Sequence, residues 1–540
     1  MASQEDSSSQ PDRPASKDDS TLGTMVEDGK EVTESKDQSL HPKDEKNAVE
    51  KDLEKGPFAG EQPKTQAPKD PNLVSWDGPT DPKNPKNWTK QKKWTATIIV
   101  ATYAFISPLS STMIAPALDA IAKDFHIGSA VESQISLSIF VLAYALGPLF
   151  LGPLSEIFGR VIVLQLSALW YLAFNIGCGF CTSKSQMIVF RFLSGLGGST
   201  PLAVGGGVLA DCWKPEERGR ALSIYSLAPL LGPVVGPIVG GFITEYTTWR
   251  WVFWSSSIAA GVIQAFGFIF LAETYPPKLL EWKAQKLRKE SGNLDLHTIF
   301  ETPEKSMANT LRNGFIRPFR LIGTQTVVQI MGLYMAYIYG TLYLVLATFP
   351  ALWEGRYHES TGIGTLNYIS LGIGFFIGAY SCALLQDRVY SALKKRHNGI
   401  GRPEFRIPLM VPGSLFMPIG LFWYGWSAQA HVHWIVPNLG ACVLGIGVII
   451  GFQCIQTFLV DTYTRYAASA IGAATVLRSL CGFFFPIFAP AMYDKLGYGW
   501  GNSLLAFVAI FLGVPGPLLL WKYGERLRAK SPFAAGGGNH

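Results

Sequence analysis

The chain has 540 residues, of which 48% are hydrophobic and only 16% charged, and it carries a formal net charge of +6. Soluble domains carry about 25% charged residues, and the charge here is concentrated in the first ninety positions, so a soluble globular chain is excluded. Nucleic acid is not indicated either, because no basic stripe with interleaved stacking aromatics is present; the positive balance suits loops facing anionic lipid.

Residues 1–75 are rich in Ser, Lys, Asp, Glu, Gln and Pro with almost no aromatics. Such a segment buries too little apolar surface to offset its ordering entropy, which predicts a disordered cytoplasmic tail. It has no apolar core of the kind a signal peptide needs. A pre-membrane segment follows over 76–93. Its prolines predict an extended path, and Trp76, Trp88 and Trp94 with Lys90, Lys92 and Lys93 predict an interfacial anchor. Asn87-Trp-Thr89 has the form of a glycosylation sequon, but on the cytoplasmic side it is expected to go unused.

Beyond Trp94 the sequence is a series of apolar runs of bilayer length, roughly 20 residues each. Twelve spans are predicted, at about 94–116, 131–152, 161–181, 187–210, 219–243, 250–271, 323–350, 361–386, 405–427, 433–457, 466–490 and 501–521. Basic residues sort to one set of loops, among them Arg160, Lys214, Arg218, Lys283, Arg288, Lys394, Arg402 and Arg465. By the positive-inside rule both termini are then cytoplasmic. A hydrophilic stretch over 273–322, predicted to be a cytoplasmic central loop, separates a first half (94–272) from a second (323–521), and 522–540 is a cytoplasmic tail. The predicted fold class is an all-α membrane protein of twelve transmembrane helices in two six-helix halves, the layout of a transporter built from repeats.

Between spans two and three lies Gly152-Pro-Leu-Ser-Glu156-Ile-Phe-Gly159-Arg160, a tight turn with opposite charges at helix ends. Span four carries Arg191 in Arg-Phe-Leu-Ser-Gly195, and a guanidinium within the membrane calls for a partner in the bundle interior. Span five holds Gly232, Gly236, Pro237, Gly240 and Gly241. Glycines at 232, 236 and 240 share one helix face, which is either a close-packing face or, with Pro229, Pro233 and Pro237, a hinge.

These three elements resemble, in order and in span, the motifs of the major facilitator superfamily. The first resembles its signature loop G-x-L-x-[DE]-x-x-G-R, except that Val161 stands where a second basic residue often follows. The resemblance implies a conformational latch at Gly152, Glu156, Gly159 and Arg160 that joins the halves on the cytoplasmic side in the outward-facing state. It implies proton coupling at Arg191 and an antiporter hinge at Gly232, Gly236, Pro237, Gly240 and Gly241; among the carboxylates of the chain, Glu156 is the one favoured here to work with Arg191. Glu273-Thr-Tyr-Pro-Pro277, with Ala272 before it, is similar to the end of span six in fungal drug:proton antiporters, and Val476-Leu-Arg-Ser479 and Met492-Tyr-Asp-Lys-Leu-Gly-Tyr-Gly-Trp500 continue that likeness.

In the second half, span seven is aromatic: Tyr334, Tyr337, Tyr339 and Tyr343 fall on more than one helix face, so some are expected to face lipid. Tyr334, Tyr337, Asn367, Gln453 and Gln456 are candidates for the lining of an apolar cavity with a few polar handles. Arg478 is a second buried charge, with Asp461 or backbone carbonyls as candidate partners. The carboxylates Glu156, Asp211, Glu273 and Asp461 all lie near cytoplasmic ends. One Cys-x-x-Cys, Cys178 and Cys181, has no second pair, so no metal site is expected. No nucleotide loop or nucleophile–base pair suggests an enzyme, and no cofactor is expected beyond a proton gradient. The function implied is proton-coupled efflux of a hydrophobic toxin, drug or secondary metabolite by a monomer in the plasma membrane, with the vacuolar membrane as alternative. Polyamine or small-amine export and a non-transporting sensor are the competing readings.

Overall fold

The computed structural model describes residues 70–301 and 307–534; the predicted disordered tail over 1–69 lies outside them. The described chain is helical because a bilayer offers no water to its backbone, so each N–H and C=O must find its partner within the segment. The first half comprises α1 (Lys90–Thr112), the short α2 (Leu118–Asp124), α3 (Ala130–Phe158), α4 (Arg160–Gly179), α5 (Lys184–Gly198), α6 (Thr200–Cys212), α7 (Pro215–Tyr246) and α8 (Arg250–Phe270). The α5–α6 pair is one crossing broken at Ser199, just before Pro201. The second half comprises α11 (Thr326–Gly355), α12 (Thr361–Leu366), α13 (Tyr368–Arg396), α14 (Met410–Gln429), α15 (Ile435–Thr462), α16 (Ala467–Gly513) and α17 (Pro515–Ala529).

Eleven helical stretches among the described residues are long and apolar enough to cross a bilayer, one fewer than the sequence predicts. The difference arises in the last, which runs 63 residues from Ala467 to Ala529. A straight helix of that length would be about 95 Å, three times a hydrocarbon core of about 30 Å. It is not straight: Gly497 sits at φ 69° and ψ 175°, a backbone state that only glycine adopts readily.

The segment predicted as a loop between the halves is folded. It contains α9 (Pro276–Ser291) and α10 (Met307–Thr324), and a two-residue strand β2 (His297–Thr298) that pairs in parallel with β1 (Leu73–Val74). Residues 73–74 therefore belong to the folded body and not to the tail. α10 straps the halves together. Gly314 leaves no room for a side chain against Pro153 of α3, Phe315 packs on Phe150 with ring centroids 5.2 Å apart, and Pro318 lies against Gly472 of α16.

The pre-membrane segment is also more compact than the extended path predicted from its prolines. The Asp81 carboxylate accepts the backbone N–H of Asp77 (3.0 Å) and of Lys83 (2.8 Å), and Asn87 Nδ2 donates to Pro79 O (2.8 Å) and Asp81 O (3.0 Å). Lys93 is buried and donates to Lys86 O at 2.7 Å, while Trp94 meets Trp213 edge-on at 5.1 Å. Short polar side chains that bond their own backbone fold the chain into turns, and they outweigh the prolines' preference for extension.

Candidate functional site

The signature loop is a compact polar cluster at one end of the first half. Gly159 has φ 108°, which lets α3 end and α4 begin within one residue. The four N–H groups at a helix start lack intrahelical partners, and the Glu273 carboxylate takes two of them, Arg160 N and Val161 N, each at 3.0 Å. The same carboxylate accepts Thr274 N and Tyr275 N at 2.9 Å. The Arg160 side chain donates to Ser155 Oγ (2.7 Å), approaches Asp211 at 3.5 Å and Glu156 at 3.8 Å, and lies 4.7 Å from the centre of the Tyr275 ring. Burial of that phenol pushes its pKa up to about 12. All these partners belong to the first half or to residues 273–275, which directly follow it. The predicted latch residues are thus gathered here, but none of these contacts reaches the second half.

Arg191 is fully buried, and its partners are backbone carbonyls. It donates to Ser110 O and Ser111 O at 3.0 Å and to Ser136 O and Leu137 O at 3.3 Å. α1 ends at Thr112, so the carbonyls of residues 110 and 111 have lost their intrahelical donors and the guanidinium replaces them. Phe140 lies over it at 4.7 Å. Glu156 is not its partner. The two sites engage α3 about 20 residues apart, roughly 30 Å along the helix, and Glu156 is half-exposed beside Arg160. The expected Arg191–Glu156 pairing is therefore not formed.

Around Arg191, α1 presents three serines within little more than one turn, each bonded to a tyrosine: Ser107 to Tyr144 (2.6 Å), Ser110 to Tyr171 (2.5 Å) and Ser111 to Tyr343 (3.0 Å). The last bond crosses from the first half to the second.

The glycines of α7 form a packing face. A Cβ on Gly232, Gly236 or Gly240 would come within 2.8 Å of Leu109 N, 2.5 Å of Leu109 O and 2.1 Å of Met113 O, all backbone atoms of α1 or just beyond it. α7 continues as one helix through Pro229, Pro233 and Pro237, so the packing alternative describes the structure better than a bend at Pro237. Gly241 differs. It faces Thr365 of α12 in the second half at 2.3 Å from a would-be Cβ, and one turn on Glu245 accepts the backbone N–H of Gly362 and lies 3.2 Å from Ser360 Oγ.

The predicted cavity residues separate into two groups. α11 is buried on nearly every side, so its tyrosines do not face lipid as expected. Tyr334 packs against Gly513 and Ser414, and Tyr337 donates to Leu505 O. Both end inside the second half's own core, as does Asn367, whose amide is held by Glu359 (2.7 Å), Gly364 O (3.0 Å) and Asn438. Gln453 and Gln456 are half-buried on α15, and neither amide is hydrogen-bonded among the described residues. A glutamine facing hydrocarbon is costly, so these two suit a polar space within the bundle. Arg478 is 9% exposed, with Tyr339 at 4.9 Å and Phe452 at 5.2 Å from its guanidinium carbon. Asp461, a candidate partner, is instead bonded to Arg406 at 2.9 Å.

Sequence reasoning missed the role of Glu273, the serine row, the Tyr343 crossing and the folded linker. Only Glu273 carried a signal, its place in the motif that ends span six; the others depend on which helices become neighbours.

Two helical halves, a signature loop capped by Glu273 just after the first of them and arginines buried in the spans define a multi-pass membrane protein with a transporter fold. Residues 100–486 match the family model described as Major Facilitator Superfamily. The chain is 53% identical over 487 residues to "Efflux pump vrtL" of Penicillium aethiopicum, covering 90% of this chain and 96% of that one. It is 42% identical over 484 residues to "MFS-type transporter penM" of Penicillium rubens, with coverage of 89% and 94%. Among solved structures it resembles the proton:xylose symporter XylE with a TM-score of 0.60 at 16% identity, over 81% of this chain and 96% of that one. The chain belongs to the Major Facilitator Superfamily.

Proposed function

We propose that this protein is a proton-coupled efflux transporter that exports an apolar toxin, drug or secondary metabolite by alternating access. The similarity to a fungal efflux pump across nearly the whole chain supports export. The observation that carries the mechanism is where the halves touch directly: Gly482 meets Val141 near mid-membrane, and the remaining close contacts lie beyond it. Ser111–Tyr343, Gly241–Thr365 and Glu245–Gly362 all lie toward the end opposite the signature loop, while the signature cluster itself is satisfied by the first half and by Glu273 just after it. This is the arrangement of a carrier closed on the far side and open on the signature-loop side, and rocking the halves would exchange the two. The turn at Gly497 then joins an eleventh crossing to a twelfth, which returns both termini to the cytoplasm. We place the protein in the plasma membrane as a monomer driven by the proton gradient alone.

The deciding experiment expresses the chain in a pump-deficient yeast and follows accumulation of a panel of fluorescent apolar toxins and polyamines, with and without a protonophore. Lower toxin accumulation that the protonophore abolishes is the expected result. Unchanged accumulation with the protein present at the cell surface, or efflux indifferent to the protonophore, refutes it. Polyamine export is disfavoured by the two buried guanidiniums, which repel cations.

A further inference from the structure

Two arginines lie within the bundle, and they differ in one respect. Arg191 donates four hydrogen bonds to carbonyls. Arg478, buried to 9% exposure where Arg191 is at 0%, makes no hydrogen bond and no ion pair among the described residues, and its Nε is buried without a partner. A guanidinium has five N–H donors and no way to shed its charge, and buried charges are ordinarily paired. Aromatic faces recover part of that cost, but they cannot satisfy the in-plane N–H fork.

Its location explains why the partner is missing. Arg478 stands 11 residues into α16, about 16 Å from the helix start and so near the middle of the membrane. One turn further on, Gly482 packs against Val141 of the first half and against Tyr339. The arginine thus sits beside the seam between the halves, where a carrier's cargo passes. Phe452 lies against it, with Gln453 and Gln456 adjacent on the same helix and their amides unused.

We propose that Arg478 is the recognition point for an organic anion: the cargo is an apolar, ring-containing acid whose carboxylate or equivalent oxyanion docks on the guanidinium fork. Tyr339 and Phe452 receive its apolar body, and Gln453 and Gln456 supply further donors. Planar oxyanions and guanidinium match in a two-bond geometry that neither a neutral molecule nor an ammonium ion reproduces. In the empty carrier the charge is unpaired, and binding removes that penalty. This assignment rests on the reading of the chain as an exporter of small apolar molecules and names their chemical class.

The test is binding, not transport, so its failure is distinguishable from failure of export. The full-length protein, purified in detergent, is titrated with 1-pyrenebutyrate, with the neutral isostere 1-pyrenebutanol and with a pyrenebutyl ammonium salt, read by tryptophan quenching. The butyrate is expected to bind roughly ten- to hundredfold more tightly than the other two, the worth of hydrogen bonds to a charged group. Arg478→Gln and Arg478→Met abolish that preference, and Arg478→Lys keeps part of it. Because Arg478→Met removes an unpaired buried charge, its ligand-free unfolding midpoint stays level or rises, whereas a structural arginine would leave it lower. Equal affinity for the three probes, preference for the ammonium, binding of none, or anion preference that survives in a folded Arg478 variant overturns the proposal.

Discussion

The α1–α7 contact offers a graded test of whether the span-five glycines pack or hinge. At Gly240 an added Cβ would lie 2.1 Å from Met113 O and 3.0 Å from its carbonyl carbon. A carbon and a carbonyl oxygen approach to about 3.3 Å, so α7 and α1 must separate locally by about 1.2 Å. The obstacle is backbone and cannot rotate away. Overpacking of this kind costs about 1–3 kcal/mol, and a backbone clash this deep belongs at the upper end. Ala is favoured over Gly inside a helix by about 1 kcal/mol, which would mask part of the cost. Gly206, in α6 with nothing within 4 Å of a would-be Cβ, isolates that gain. The expected order of unfolding midpoints for detergent-purified protein is G206A at or above wild type, then G232A, G236A and G240A progressively lower, with about 3 kcal/mol between G206A and G240A. Pro237→Ala is expected to be mild, because α7 is already continuous there. If G240A matches G206A while Pro237→Ala removes export, the packing account is wrong and a hinge is the better description.

Further outcomes follow from the same geometry. Glu273→Ala strips four backbone N–H groups of their acceptor and is expected to destabilise the protein by about 1–3 kcal/mol. Glu156→Gln, half-exposed and 3.8 Å from Arg160, should change it by under about 0.5 kcal/mol; equal effects of the two in thermal unfolding would contradict the cap. Arg191→Lys cannot reproduce a fork that reaches carbonyls on two elements, so monodisperse protein should fall sharply by fluorescence-detected size exclusion. Full yield of Arg191→Lys would show that those bonds are dispensable. At the membrane edge, the backbone N–H groups of Asp77 and Lys83 hold the Asp81 carboxyl below the usual carboxylate range. The stability this contributes is fully present above the unfolded value of about 3.9 and is lost as pH falls through the lower folded value. Protease cleavage within 76–93 should therefore rise only below about pH 4, and Asp81→Asn should remove that dependence; identical pH profiles would exclude Asp81 as the cause.

The sequence alone determined the class of molecule and the grammar of its motifs. Apolar run length against bilayer thickness located the crossings, and the signature glycines and charges identified the family before any contact was known. It determined that Arg191 and Arg478 are buried, because both lie inside apolar runs. It left open what each one meets. Pairing is decided by which helices become neighbours, and sequence separation carries no information on that: Arg191 meets carbonyls 54 to 81 positions away, not the carboxylate favoured from the sequence. The same limit applied to α11, where periodicity found several tyrosine-bearing faces but could not know that nearly all of the helix is covered. Helix α10 was lost for a different reason, since a charged stretch between apolar runs looks like a loop until one of its faces has α3 and α16 to cover. Only the tertiary structure separated Gly241, which looks across to Thr365, from the three glycines that hold α7 on α1. One residue along a helix is a turn of about 100°, enough to move a side chain from one half of the molecule to the other.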